Sequence, residues 1–169
     1  MPQPLIDPAP YPSVKELSCD PLSARIIASA YATSNGELNS VLQYIYQSFA
    51  FMHAGEEQTA ELVKRVAIAE MLHLDLLGNA LINLGVQPIY TFTPPVPFNF
   101  YSTKFVAYST KFSDMLEDDI MAERHAIASY EKMLCRLKNE RVKELIARLL
   151  SDEELHLKAF LKARTRYCG

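Results

Sequence analysis

A Glu-x-x-His motif occurs twice in this chain, as Glu70-Met71-Leu72-His73 and as Glu153-Glu154-Leu155-His156. Residues three apart on a helix share a face, so each copy presents a carboxylate and an imidazole side by side. Both copies interrupt apolar stripes. In alternating steps of four and three, one stripe runs Thr59, Val63, Val66, Glu70, His73, Leu77, Ala80, Leu84. The other runs Val142, Ile146, Leu149, Glu153, His156, Phe160. This is the period of helices with one face in a core. A single Glu-x-x-His arises by chance on surface helices; two copies, both in core-facing seams, point to a buried site.

Two further stripes supply one more glutamate each. Leu116, Ile120, Glu123, Ile127, Tyr130, Leu134 and Leu137 form one, and Glu37, Val41, Tyr44, Ser48 and Phe51 a weaker second. Glu37 and Tyr44 are seven apart, as are Glu123 and Tyr130, so the two halves of the chain read as repeats. Glu37 also follows Ser34 by three, the spacing of a capping box, which is the competing role for it. Tyr44 and Tyr130 are either core aromatics or hydroxyl donors that steady a glutamate. His53 at a turn and His125 off the seam read as surface residues. So does the acidic run Glu117-Asp118-Asp119, which suits the first turn of a helix.

The chain then divides as follows. Residues 1–19 are proline-rich and extended, and Asp20-Pro21 starts a short helix to about Thr33. Long helices follow from Glu37 to near His53 and from Glu56 to about Leu84. After a gap come two more, from about Asp114, where Asp114-x-x-Glu117 resembles a capping box, to about Lys138, and from Arg141 to about Arg164. Turns near Ala54 and Asn139 are tight, making each pair antiparallel neighbours. Glu37 and Glu70 lie almost equally far from the first turn, and Glu123 and Glu153 to His156 almost equally far from the second. At about 1.5 Å rise per residue, each pair sets its ionisable groups at one level to within roughly a helical turn.

Residues 86–113 are of another kind. Gln87 to Phe112 holds Pro94, Pro95 and Pro97 and eight of the seventeen Tyr and Phe residues. Helix–helix turns take about 2–8 residues, so this stretch is a crossover along the bundle, with a helical piece expected within 102–112. Its aromatics would cover the bundle or form a contact between subunits. The expected architecture is all-α: a four-helix bundle with one long crossover and a short N-terminal helix, in a single domain spanning 1–169.

Four glutamates meeting in a core would repel, and burying even one unpaired charge costs several kcal/mol. Two divalent cations would balance their four negative charges, and two neutral imidazoles add donors without charge. Hard oxygen donors with one imidazole per metal suit manganese or iron better than structural zinc. The predicted ligands are therefore Glu37, Glu70, His73, Glu123, Glu153 and His156.

Composition removes other classes. The formal charge of −3 gives no footprint for nucleic acid or an anionic membrane surface. No apolar run approaches the roughly 18 residues of a membrane span. The N-terminal residues lack the basic region of a secretory signal. The three cysteines form no Cys-x-x-Cys, which argues against a zinc knuckle or a rubredoxin-type iron site. A reducing cytoplasm is the expected compartment.

The sequence resembles ferritin-like proteins, and among them the manganese catalases and their spore-coat relatives, with rubrerythrins as second choice. The resemblance lies in Tyr11-Pro12-Ser13-Val14-Lys15, Cys19-Asp20-Pro21, Asn35-Gly36-Glu37, Leu116-Glu117-Asp118-Asp119-Ile120 ahead of Ala122-Glu123, and Tyr130. It covers nearly the whole chain, although the crossover matches poorly and is shorter than in full manganese catalases. It implies two manganese ions, or alternatively two iron ions, with Glu37 and His73 on one, Glu123 and His156 on the other and Glu70 between them. Glu153 would bridge the metals, as in rubrerythrin-like sites, or stand outside them as the catalytic base, as in manganese catalases. The implied substrate is hydrogen peroxide or dioxygen. The implied assembly is a homo-oligomer, dimeric or larger, with spore association as one setting and a structural or iron-storing role as the alternative.

Overall fold

The computed structural model describes residues 2–91 and 99–167. Five α-helices carry the fold: α1 (Pro21–Ala32), α2 (Glu37–His53), α3 (Glu57–Asn83), α4 (Phe112–Arg136) and α5 (Glu140–Arg164). The last four form a ferritin-like four-helix bundle. α2 packs along α3 and α4 along α5, and the pairs meet through α3 with α5 and α2 with α4. α1 lies against α3, α2 and α4.

Local chemistry sets the helix ends. Asp20 caps α1, accepting from the Ser23 backbone N–H at 3.1 Å and the Ser23 hydroxyl at 2.6 Å, with Pro21 at the first helical position. Asn139 caps α5 through the Val142 N–H and donates to Asp20 at 3.1 Å, tying the α4–α5 turn to the start of α1. Gly55, with φ of 81°, ends α2 in the left-handed conformation and lets α3 begin two residues later. Gly36 caps α2, and a Cβ there would sit 2.7 Å from the Ala30 carbonyl oxygen. Only a glycine lets the chain fold back this tightly from α1 and deliver Glu37 as the first residue of α2.

The seams of α3 and α5 are buried along their whole expected length. Those of α2 and α4 are rougher: Val41, Ile127 and Leu134 are only half-buried, and α2 instead buries Asn39, Gln43 and Gln47. Apolar packing divides into two clusters, one around α1 and the α4–α5 turn, the other around the α2–α3 turn. The ionisable site lies between them. α3 has an 18-residue stretch of mean hydropathy 1.2, but that stretch serves the bundle core.

Three expectations change. The helix expected from Asp114 starts at Phe112 with Lys111 as its N-cap, so Asp114 and Glu117 form no capping box; Glu117 instead meets Arg164 Nε at 2.9 Å. Within 102–112, the described crossover has only the 3₁₀ turn Thr103–Phe105 before α4 begins. Asp119 is fully buried, against its reading as solvated: it accepts from Gln43 Nε2 at 2.9 Å, while Gln43 Oε1 accepts from the Ala107 N–H. The crossover is thus pinned to the bundle through a buried acid. Three of its described aromatics pack on the bundle: Tyr90 stacks on Tyr31, Tyr108 meets Tyr46 edge-on and Phe112 stacks on Phe51, while Phe100 is exposed and Phe92 and Phe98 lie outside the described residues. Pro94, Pro95 and Pro97 lie outside the described residues.

Candidate metal centre

All six residues picked from the seams converge. Glu37 from α2, Glu70 and His73 from α3, Glu123 from α4, and Glu153 and His156 from α5 are all buried. One set of donor atoms, from Glu37, Glu70, His73 and Glu153, lies within 4.8 Å of one another, as does a second set from Glu70, Glu123, Glu153 and His156. Glu70 and Glu153 belong to both. Glu70 approaches His73 Nδ1 at 3.2 Å with one oxygen and His156 Nδ1 at 2.9 Å with the other. Glu153 does the same at 3.0 and 3.8 Å. The imidazole rings lie 5.8 Å apart and nearly parallel, both Nδ1 atoms facing the carboxylates.

Glu37 is not a capping-box residue. α2 is capped by Gly36 without a side-chain bond, and the Glu37 carboxylate turns inward to accept from the Tyr130 hydroxyl. Tyr44 donates likewise to Glu123 at 2.5 Å. The repeat seen in the sequence is therefore a physical exchange, each tyrosine serving the glutamate of the opposite half. His53 and His125 are exposed and belong to neither donor set.

Crowding four carboxyls without water divides their proton affinities. Burial, then the charges of Glu70 and Glu153, push Glu37 well above the usual carboxylate range. Burial and the charge of Glu153 do the same to Glu123. Burial also pushes on Glu70, but the two imidazoles outweigh it and hold Glu70 below that range. The imidazoles are pulled down by burial and lifted further by their carboxylate partners, ending well above the ordinary histidine value.

This donor set fits a pair of divalent cations. Glu70 Oε1, Glu123 Oε2, Glu153 Oε1 and His156 Nδ1 are buried and meet only in ion-pair contacts within the cluster, the arrangement of atoms that a shared cation would satisfy. Oxygen-rich donors with one imidazole each suit manganese or iron.

One residue in contact with the candidate site escaped the sequence reading. Asp152, fully buried, accepts from His73 Nε2 at 3.0 Å and from the Tyr11 hydroxyl at 2.6 Å, and pairs with Arg148 at 2.7 Å. Burial pushes its carboxyl up, but these donors outweigh it and hold the value down at about 2. The signal was present: Leu145, Leu149, Asp152 and His156 are also spaced by four, three and four.

The family model for rubrerythrin matches residues 34–164, most of the chain. The chain belongs to the rubrerythrin family. No curated protein matches it significantly by sequence. Among solved structures, the manganese catalase KatB from Anabaena is similar, with a TM-score of 0.77 at 22% identity over 96% of this chain and 80% of that one. A second structure of KatB, from Anabaena PCC7120, aligns equally well over 95% and 79%. Bacterioferritin BfrA of Mycobacterium tuberculosis reaches 0.74 at 16% identity, covering 89% of this chain and 88% of that one. These likenesses establish the ferritin-like fold of this rubrerythrin-family chain.

Proposed function

We propose that this rubrerythrin-family chain is a di-metal oxidoreductase that consumes hydrogen peroxide, most closely by disproportionation to water and dioxygen as a manganese catalase does. The observation carrying this reading is the buried set of four glutamates and two histidines, in which Glu70 reaches both imidazoles. Glu37 and His73 would hold one cation, Glu123 and His156 the other, and Glu70 both. Two redox-active divalent ions supply, when bound, a two-electron couple and Lewis acidity toward peroxide. The chain does the rest. Tyr44 and Tyr130 fix the outer glutamates in place by their hydroxyl bonds. Glu153 would take the proton from incoming peroxide and return it to departing water. The apolar clusters above and below keep bulk solvent out.

A second reading is a di-iron peroxidase of rubrerythrin type that draws electrons from an external donor. Glu153 favours it, because its place in both donor sets suits a ligand rather than a detached base. Assembly as a homo-oligomer belongs to either reading, with the exposed Phe49, Met52 and Ile82 as contact material. The test is direct. Manganese-loaded chain should release oxygen from peroxide without reductant. Peroxide loss only with iron and a reductant would select the second reading, and no turnover with either metal would leave a structural or iron-storing protein.

A further inference from the structure

The side of the bundle behind the two histidines is closed by the N-terminal segment. The Leu5 N–H donates to the Arg65 carbonyl on α3 at 3.2 Å, and Arg65 Nε donates back to the Gln3 carbonyl at 3.0 Å. Farther along, Arg148 on α5 donates to the Ala9 carbonyl at 2.8 Å and the Asp7 carbonyl at 2.7 Å, its guanidinium lying 4.2 Å from the centre of the Tyr11 ring. Residues 2–11 are thus a strap fastened to α3 at one end and α5 at the other.

The strap puts an acceptor on the far nitrogen of one imidazole and holds in place the α5 acceptor on the other. For His156 it is the Leu5 carbonyl, 2.8 Å from Nε2. For His73 it is Asp152, 3.0 Å from Nε2, whose two oxygens are in turn held at 2.6 Å by the Asp7 N–H and the Tyr11 hydroxyl. An acceptor at Nε2 keeps the ring proton there and leaves the Nδ1 lone pair free to bind metal. Nδ1 is the atom that faces the glutamates on both rings.

We propose that this strap, with Asp152 and Arg148, is a positioning part of the metal centre: it fixes tautomer and orientation for both histidine ligands at once. The proposal rests on the di-metal reading above. It also makes the two halves of the site unequal. His73 depends on a side chain that a substitution can change, whereas His156 depends on a backbone carbonyl that only removal or displacement of the strap can take away.

The experiment is titration of Mn(II) into the full chain, a chain lacking residues 2–11, and the variants Asp152→Asn and Tyr11→Phe, with helix content followed by circular dichroism. The full chain should bind two ions. Loss of the strap should weaken both by about 10–100-fold with helix content kept. Asp152→Asn should weaken one and spare the other, and Tyr11→Phe should do so to a smaller extent. In the Zn(II)-loaded proteins, proton NMR should show two protected imidazole Nε2–H resonances, of which Asp152→Asn shifts one. Unchanged Mn(II) affinities in the strapless chain overturn the proposal. Should that chain fail to fold, unchanged affinities and resonances in Asp152→Asn overturn it instead. A full chain that takes up no metal overturns the di-metal reading and the strap's role together, an outcome distinct from the other two.

Discussion

Tyr44 of α2 donates its hydroxyl proton to Glu123 of α4 over 2.5 Å, with neither side chain open to solvent. Tyr130 of α4 returns the contact to Glu37 of α2. These crossed bonds join the bundle's two halves at the level of the glutamates, where apolar packing gives way to ionisable groups. A carboxylate that loses such a donor keeps its burial and its charge but not its orientation. Tyr44→Phe should therefore lower metal affinity or peroxide turnover by about 10–100-fold while the chain stays folded. Parallel metal analysis and peroxide assays on Tyr44→Phe and Tyr130→Phe check this, and comparable losses in the two are expected from their matching positions.

Glu70 is the residue whose loss should reach both metals. Its two oxygens approach the Nδ1 atoms of the two histidines separately, at 3.2 and 2.9 Å. Glu70→Gln keeps the shape and removes the charge, so it should reduce bound metal below one ion per chain. Elemental analysis of protein loaded with excess Mn(II) and then desalted measures this, with Glu154→Gln, an exposed neighbour of the second motif, as the control that keeps both ions.

The site residues were legible because each breaks a rule. A glutamate or histidine on an apolar seam has no reason to be there except a buried partner, and Glu70, His73, Glu123, Glu153 and His156 followed from that contradiction, whereas Glu37 lay on a weaker stripe with a helix cap as its competing role. Tyr44 and Tyr130 were half-legible, since a tyrosine is at home in a core with or without a partner for its hydroxyl. Asp152 and Asp119 were hidden by their neighbours. Each sits in a run of acids: Glu117-Asp118-Asp119 is expected in a helix's first turn, where acids are at home, and Asp152 stands directly beside the motif glutamate Glu153 and the exposed Glu154. What distinguishes them is distant in the chain: Tyr11 for Asp152, Gln43 for Asp119. The strap was invisible for the same reason. Its contacts to α5 run largely through backbone carbonyls, and a carbonyl leaves no mark in a sequence.

Asp119 offers a test of how the crossover is held. Burial pushes its carboxyl well above the usual value, against the opposing bonds from Gln43 and Gln47. An acid whose folded value exceeds its unfolded one, here 3.8, holds its proton longer in the folded state, so its effect on stability worsens as pH rises past that value. Asp119→Asn removes the ionisation but retains an oxygen to accept from Gln43. Urea unfolding should show it gaining on the wild type as pH rises from about 4 to 7. Asp119→Ala, which strands the Gln43 amide, should instead cost about 1–3 kcal/mol.

Asp20 should show the opposite dependence. Its carboxylate accepts hydrogen bonds from the Ser23 N–H and hydroxyl at the start of α1 and from the Asn139 side-chain amide at the α4–α5 turn. The Ser23 hydroxyl and then the Ser23 N–H lower its value from 3.8, with Asn139 adding to them and partial burial opposing. A depressed folded value means that the stabilisation is fully present above the unfolded value and fades as pH falls through the folded one. Asp20→Ala should cost about 1 kcal/mol at pH 7, the usual worth of a helix cap. The gap between variant and wild type should narrow below about pH 4 as the wild-type carboxylate protonates. Asp20→Asn can still accept from Ser23, so it should lose less at neutral pH and show a flatter profile across the acid range. Urea midpoints for the three proteins at pH 7, 5 and 3.5 measure both trends. A gap that stays constant across the acid range would assign the effect of Asp20 to shape rather than to its charge.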